Sequence, residues 1–157
     1  MSTKKAQFIR LFDEQINRLS NKVNLLEKKP RDYGTGTLLY PSEIHVIGSI
    51  DENPDAHMSG IAKILGVTRG AVMQLVVKLE KKGLVERYKN DKDSKKVFLK
   101  LTEKGKRASV GHKKYHQKMY EDLYLLLKKF KLSELAFIKQ VNDALEAHLD
   151  SYLEEKK

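Results

Sequence analysis

The sequence predicts a mainly α-helical chain with one small β element, and three observations carry this. Apolar residues recur at helical spacing towards both ends, the middle is punctuated by Gly66 and Gly83, and two β-rich runs flank a polar stretch. The chain has 157 residues, 40% of them apolar, enough for a core of ordinary domain size. Lys and Arg number 31 against 21 Asp and Glu, a formal charge of +10. There is no cysteine, which excludes disulfides, thiolate nucleophiles and cysteine-based zinc ribbons. No stretch approaches the roughly 20 apolar residues of a membrane span, and the N-terminus lacks the apolar run of a signal peptide. The expectation is a soluble, cytoplasmic, basic protein with no membrane partner.

The elements follow in order. Over residues 6–28, Phe8, Phe12, Ile16, Leu19, Val23 and Leu26 step by three and four, the stripe of an amphipathic helix. Pro30 and the run Tyr33-Gly34-Thr35-Gly36-Thr37 end it in a loop. That loop lacks the Gly-Lys-Ser/Thr a phosphate-binding loop requires. Pro41 opens a second helix through Ile50, since the first turn needs no donor from proline, and Asn53-Pro54 stops it. Ser59 is placed to cap a short helix, Gly60 to Leu65, ended by Gly66. Thr68 is placed to cap the next helix, which runs to about Lys82 before Gly83. Val72, Leu75, Val76 and Leu79 form its buried stripe, and Arg69, Gly70, Met73, Gln74, Val77 and Lys81 its outer face.

Two short helices across a glycine turn, the second with a polar and basic outer face, read as a helix-turn-helix. The runs 84–88 and 96–101 then read as strands, and the polar stretch 89–95 as the basic turn between them. A hairpin directly after such a helix makes a winged helix, whose cationic tip suits backbone phosphate or the minor groove. Thr102 is placed to cap a long helix from about Glu103 to near Lys131. A last helix shows one seam of Leu135, Ile138, Val141, Leu145, Leu149 and Tyr152. These terminal helices are too long for a small winged helix to bury, so pairing with a second copy is the economical solution. The expected organisation is therefore an N-terminal dimerisation helix and loop over 1–37 and a winged helix-turn-helix DNA-binding domain over 38–102. A linker helix and C-terminal dimerisation helix follow over 103–157.

Charge supports a nucleic-acid partner. Residues 78–107 hold twelve Lys and Arg against five acids, whereas 133–155 hold one Lys against six acids. A basic lobe beside an acidic scaffold is the footprint of polyanion binding. Thr68, Arg69, Gly70, Gln74 and Lys78 are the candidates for the major groove, with Ser59 at the start of the preceding helix. Arg69 has the geometry for guanine acceptors and Gln74 for an adenine edge, while Thr68 and Lys78 suit phosphate. Lys89, Lys92, Lys95 and Lys96 form the wing's contribution. No serine elbow, metalloprotease or dinucleotide fingerprint is present, so an enzyme is not expected. A nonspecific architectural DNA binder is the alternative.

Residues 38–109 resemble the winged helix-turn-helix core of the MarR family of transcription regulators. The resemblance rests on Pro41-Ser42-Glu43-Ile44-His45, the run from Ala62 to Val72 (AKILGVTRGAV), the run from Leu79 to Arg87 (LEKKGLVER) and Leu101-Thr102-Glu103-Lys104-Gly105. It implies a homodimer joined by its terminal helices on a pseudo-palindromic double-stranded operator, expected to repress and to respond to a small-molecule or metal effector. Where that family's wing carries Asp-x-Arg, this chain has Asp93-Ser94-Lys95, a point charge without the planar fork.

His112 and His116 stand at i and i+4, so both rings project from one helix face, a spacing open to metal binding, packing or chance. The resemblance adds a ligand set. In the family's zinc-responsive branch, a carboxylate on the first helix, a histidine on the second and such a pair on the fifth bind Zn²⁺. The positions that look equivalent are Glu27, His45, His112 and His116. That branch's second site uses a cysteine, absent here with Tyr33 near its position, and Ile44 stands where the branch has an acid. The alternatives are an organic-anion pocket built on the same histidines and a hydrogen-bonded network between helices. His57 and His148 read as surface or packing residues.

Overall fold

The computed structural model describes residues 3–54, 57–90 and 93–154, with backbone alone at 90 and 93–96. The elements are α1 (Thr3–Glu27), β1 (Arg31–Asp32), β2 (Leu38–Leu39), α2 (Pro41–Glu52), α3 (Met58–Leu65), α4 (Arg69–Lys81), β3 (Val85–Asn90), β4 (Asp93–Leu101), α5 (Glu103–Leu127) and α6 (Leu132–Glu154). The mainly helical class with a two-stranded wing holds. The chain divides into two compact units, Met1–Tyr115 and His116–Lys157. No single helix among the described residues is long and apolar enough to cross a membrane.

The first unit contains the core. Ile44 and Ile47 of α2, Ile61 of α3, and Val72, Val76 and Leu79 of α4 are fully buried, with Leu84 and Leu99 beside them and Leu75 partly buried against them. The stripe read on α4 is thus the face that meets α2 and α3. Gly66 ends α3 at φ 64°, the left-handed conformation that costs glycine least, while the Val67 amide bonds back to the Ala62 carbonyl at 3.0 Å. Thr68 caps α4, its hydroxyl oxygen accepting from the Ala71 amide at 3.2 Å.

Four details differ from the sequence reading. Helix α3 begins at Met58, so His57 rather than Ser59 is the cap residue. The reason is burial: Met58 is drawn into the core, and the His57 carbonyl accepts from Gly60 and Ile61. Both strands are longer than 84–88 and 96–101, because polar residues pair through their backbones as well as apolar ones do. Lys89 faces Val97, and the register shifts before Asn90 pairs with Asp93. Helix α5 stops at Leu127, four residues early; the Glu134 carboxylate accepts from the Lys131 amide at 2.7 Å and sets the start of α6. Finally, the loop after α1 hides a small hairpin. Asp32 accepts from the amides of Thr35 and Gly36 at 2.8 and 3.2 Å while β1 pairs with β2. The Thr35 bond leads the causes that hold the Asp32 carboxyl below its ordinary value.

One buried ion pair ties the ends of α2 and α4. Glu43 is 2% exposed; its carboxylate accepts from Lys82 Nζ at 2.7 Å and from the Tyr40 amide at 2.9 Å. Lys82 also donates to the Leu38 carbonyl at 3.1 Å. Further along, α5 lies so close to the turn after α4 that a methyl on Gly105 would overlap the Leu84 carbonyl oxygen. Thr102 caps α5 through the Gly105 amide at 3.0 Å and donates to the Gly83 carbonyl at 2.7 Å. Asp51 of α2 accepts from Ser109 and Lys113 of α5 at 2.9 and 2.6 Å, and the Lys113 bond leads the causes that lower its carboxyl pKa.

These contacts predict the stability cost of three substitutions. Gly66→Ala meets no atom within 4 Å and is expected to lose only about 1 kcal/mol, from its positive φ alone. Gly105→Ala displaces backbone and is expected to lose about 2–3 kcal/mol in urea unfolding. Lys82→Met strands a buried carboxylate and is expected to cost about 2–3 kcal/mol, most of it recovered when Glu43→Leu is added. Equal losses for the two glycines, or a double mutant no better than Lys82→Met, would refute these assignments.

Candidate nucleic-acid interface

With Val72, Val76 and Leu79 of α4 held in the core, helix geometry forces the opposite face into solvent. Arg69, Gly70, Met73, Gln74, Val77, Lys78 and Lys81 are all exposed on that side. Arg69 and Gly70 form the first turn, where unpaired amides and the helix dipole favour a polyanion. The Thr68 oxygen is engaged as a cap acceptor, which leaves its O–H proton to donate outward to a phosphate oxygen. The first sequence candidates on α4 therefore share one solvent-facing surface. Ser59, although not the cap, is exposed on the second position of α3 and shares a cleft with Arg69.

The wing candidates divide. Lys89 is exposed on β3. Lys95 and Lys96 lie on β4, with only their backbones described, and Lys92 lies outside the described residues. Sequence reasoning missed Arg87. It stands on β3 in the same cleft as Arg69, ion-paired to Glu80 of α4 at 3.0 Å. The signal was present as a basic residue alternating outward along a strand, but the strand's register on α4 was not.

Of the histidine set, the structure brings two together. The rings of His45 and His112 lie 5.7 Å apart, and the Tyr33 ring meets His112 edge-on at 5.4 Å. Tyr33 is buried under α5, where a methyl on Gly111 would overlap its carbonyl oxygen. Burial pushes the Tyr33 hydroxyl above its ordinary pKa, offset in part by Arg31 beside it. Arg31 also lies over the Tyr115 ring, 5.0 Å from its centre. Glu27 ends α1, and His116 begins the second unit. Among the described residues, no group of three or more His, Asp or Glu side chains is gathered closely enough to hold a metal ion. His57 packs against Phe98 at 6.4 Å and His148 against Tyr152 at 5.0 Å, packing roles as read from sequence.

Comparison with known proteins meets this geometry at its centre. Residues 39–96 match the family model described as MarR family. The solved structure of Streptococcus pneumoniae FabT in complex with DNA superposes with a TM-score of 0.69 at 27% identity, covering 91% of this chain and 98% of that one. The winged-helix core is thus similar to MarR-family domains. The HTH-type transcriptional regulator PchR of Bacillus subtilis (strain 168) is 32% identical over 110 residues. That match covers 68% of this chain, which spans 65% of PchR's length. Lactococcus lactis ZitR, a zinc-responsive MarR family member, shares the fold at a TM-score of 0.73 and 21% identity, covering 88% of this chain and 99% of that one.

In this winged-helix core the cap and the first exposed cation of α4 separate experimentally. Thr68→Ala is expected to lose about 1 kcal/mol of stability through the lost cap. Arg69→Ala is expected to leave unfolding unchanged and weaken binding to a preferred duplex by about 10- to 100-fold. Arg69→Ala with unchanged specific binding would remove Arg69 from the base-reading set.

Proposed function

We propose that the protein is a sequence-specific transcriptional regulator, a homodimeric repressor that binds a double-stranded operator through α4 and its wing. The observation that carries this is the α4 surface, where a buried apolar stripe turns Arg69, Gly70, Gln74 and Lys78 together into solvent beside a basic hairpin. Likeness to FabT, solved in complex with DNA, supports the same reading. Support for a second copy comes from apolar residues left in solvent on the terminal helices. On α1 these include Phe8, Leu11, Leu19, Val23 and Leu26; on α6 they include Ile138, Leu149 and Tyr152. Surfaces of that kind mark interfaces. A twofold dimer would set two recognition helices about 34–36 Å apart on one face of the duplex.

Operator affinity is set by an effector at Tyr33, His45 and His112. Two imidazoles and a phenol, with the Arg31 guanidinium close by, offer hydrogen-bond donors and positive charge suited to an organic anion. A ligand acts there by binding one spacing of the recognition helices better than another. Likeness to zinc-responsive ZitR makes zinc the second reading.

Fluorescence anisotropy on duplexes selected from a randomised library tests the proposal. A repressor prefers its selected site over random duplex by about 10³ or more, whereas an architectural binder shows none of that preference and a steep salt dependence. Aromatic carboxylates that release the selected duplex from the native protein but not from His112→Ala identify the organic-anion site. Zinc that tightens binding, with the effect lost in His112→Ala, replaces that reading with a metal-dependent repressor.

A further inference from the structure

The outward face of α4 is not uniformly polar. Met73 is 50% exposed and Val77 38% exposed, one and two turns along from Arg69 on the same side of the helix. Neither is needed by the core, which α4 serves through Val72, Val76 and Leu79. Met73 lines a cleft of about 440 Å³ between α3, α4 and β4, with Met58 and Val97 as its other apolar walls. Arg69 and Arg87 stand in the same cleft.

This combination narrows what can sit there. A buried apolar partner protein would leave Arg69 without water or counter-charge, a costly arrangement. A bare phosphate would satisfy the guanidiniums but leave Met73 and Val97 facing an anion. The major groove of a duplex offers both requirements at once: phosphates and purine acceptors for the cations, and one apolar group, the thymine 5-methyl. An unbranched thioether is suited to that group, because it adapts its shape to a small apolar target without demanding a hydrogen bond.

We propose that Met73 is a specificity-determining residue that reads a thymine 5-methyl group in the major groove, seated between Arg69 on its own helix and the wing. The inference rests on the DNA-binding reading above and deepens it, because it names a base and an atom. It makes α4 a mixed reader, with Arg69 and Gln74 taking hydrogen-bonding edges and Met73 taking the methyl.

The test replaces each thymine of the selected duplex, one at a time, by deoxyuridine, which removes the methyl and leaves every hydrogen-bonding group in place. At one position in each half-site, native protein is expected to bind about fourfold more weakly, the worth of one buried methyl-sized group. Met73→Ala is expected to bind the thymine and uracil duplexes equally at that position while unfolding as the native protein does. Loss of affinity for uracil that persists in Met73→Ala, or thymine and uracil duplexes that bind alike at every position, overturns the assignment while leaving the DNA-binding reading intact. A library that yields no preferred duplex overturns both.

Discussion

Three consecutive carbonyls, those of Lys82, Gly83 and Leu84, hold the winged-helix unit together at the point where α4 ends. The Lys82 carbonyl accepts from Lys104 Nζ at 3.1 Å, that of Gly83 from the Thr102 hydroxyl at 2.7 Å, and that of Leu84 from the Thr102 amide at 3.1 Å. The Lys82 side chain reaches the other way, to Glu43 at the start of α2. One turn therefore fastens α2, α4, β4 and α5 to each other. Each such bond adds about 1 kcal/mol, and losing one partner inside strands the other at greater cost. Gly105 is required by the same turn, since any side chain there would strike the Leu84 carbonyl.

This fastening explains how a short helix can present a defined surface. Helix α4 has 13 residues, too short to persist alone in water. Its cap at Thr68, its stripe in the core and its anchored C-terminus leave it one orientation. Its outer face is then free to carry residues chosen for a partner rather than for folding, which is why Met73 and Val77 can remain in solvent. The first half of α5 extends the same rigidity: Gly105 meets the turn, Ser109 and Lys113 hold Asp51, and Gly111 and His112 lie against Tyr33. Tyr33 and His112 thus stand two helical turns along α5 from the Gly105 contact at the end of α4.

Much of the fold was legible because its signals are local. Helix periods, the caps at Thr68 and Thr102 and the turn glycines at 66 and 83 each depend on a few neighbouring residues. The misreadings arose where a distant contact intervened. Ser59 is a better cap residue than His57 by type, yet burial of Met58 moved the helix start. The wing strands ran past the apolar residues because backbone pairing with the facing strand, not side-chain type, sets their length. Asp32 looked like loop, and its role in closing the β1–β2 hairpin depends on amides three and four residues on that the sequence does not orient.

The candidate surfaces divide in the same way. Arg69, Gly70, Gln74 and Lys78 could be grouped from the sequence, since a period of 3.6 residues alone separates them from Val72, Val76 and Leu79. Arg87 joined them only through the fold, because a strand's register on a helix has no local code. Nor did spacing reveal that the rings of His45 and His112, 67 positions apart in the chain, lie side by side with Tyr33 against His112. The sequence by itself determined which faces are apolar, where helices begin and end, and where the positive charge lies, because each of these is settled within a few residues. Only the tertiary structure decided which distant side chains meet, because those encounters minimise the free energy of the whole core and not of any segment in it.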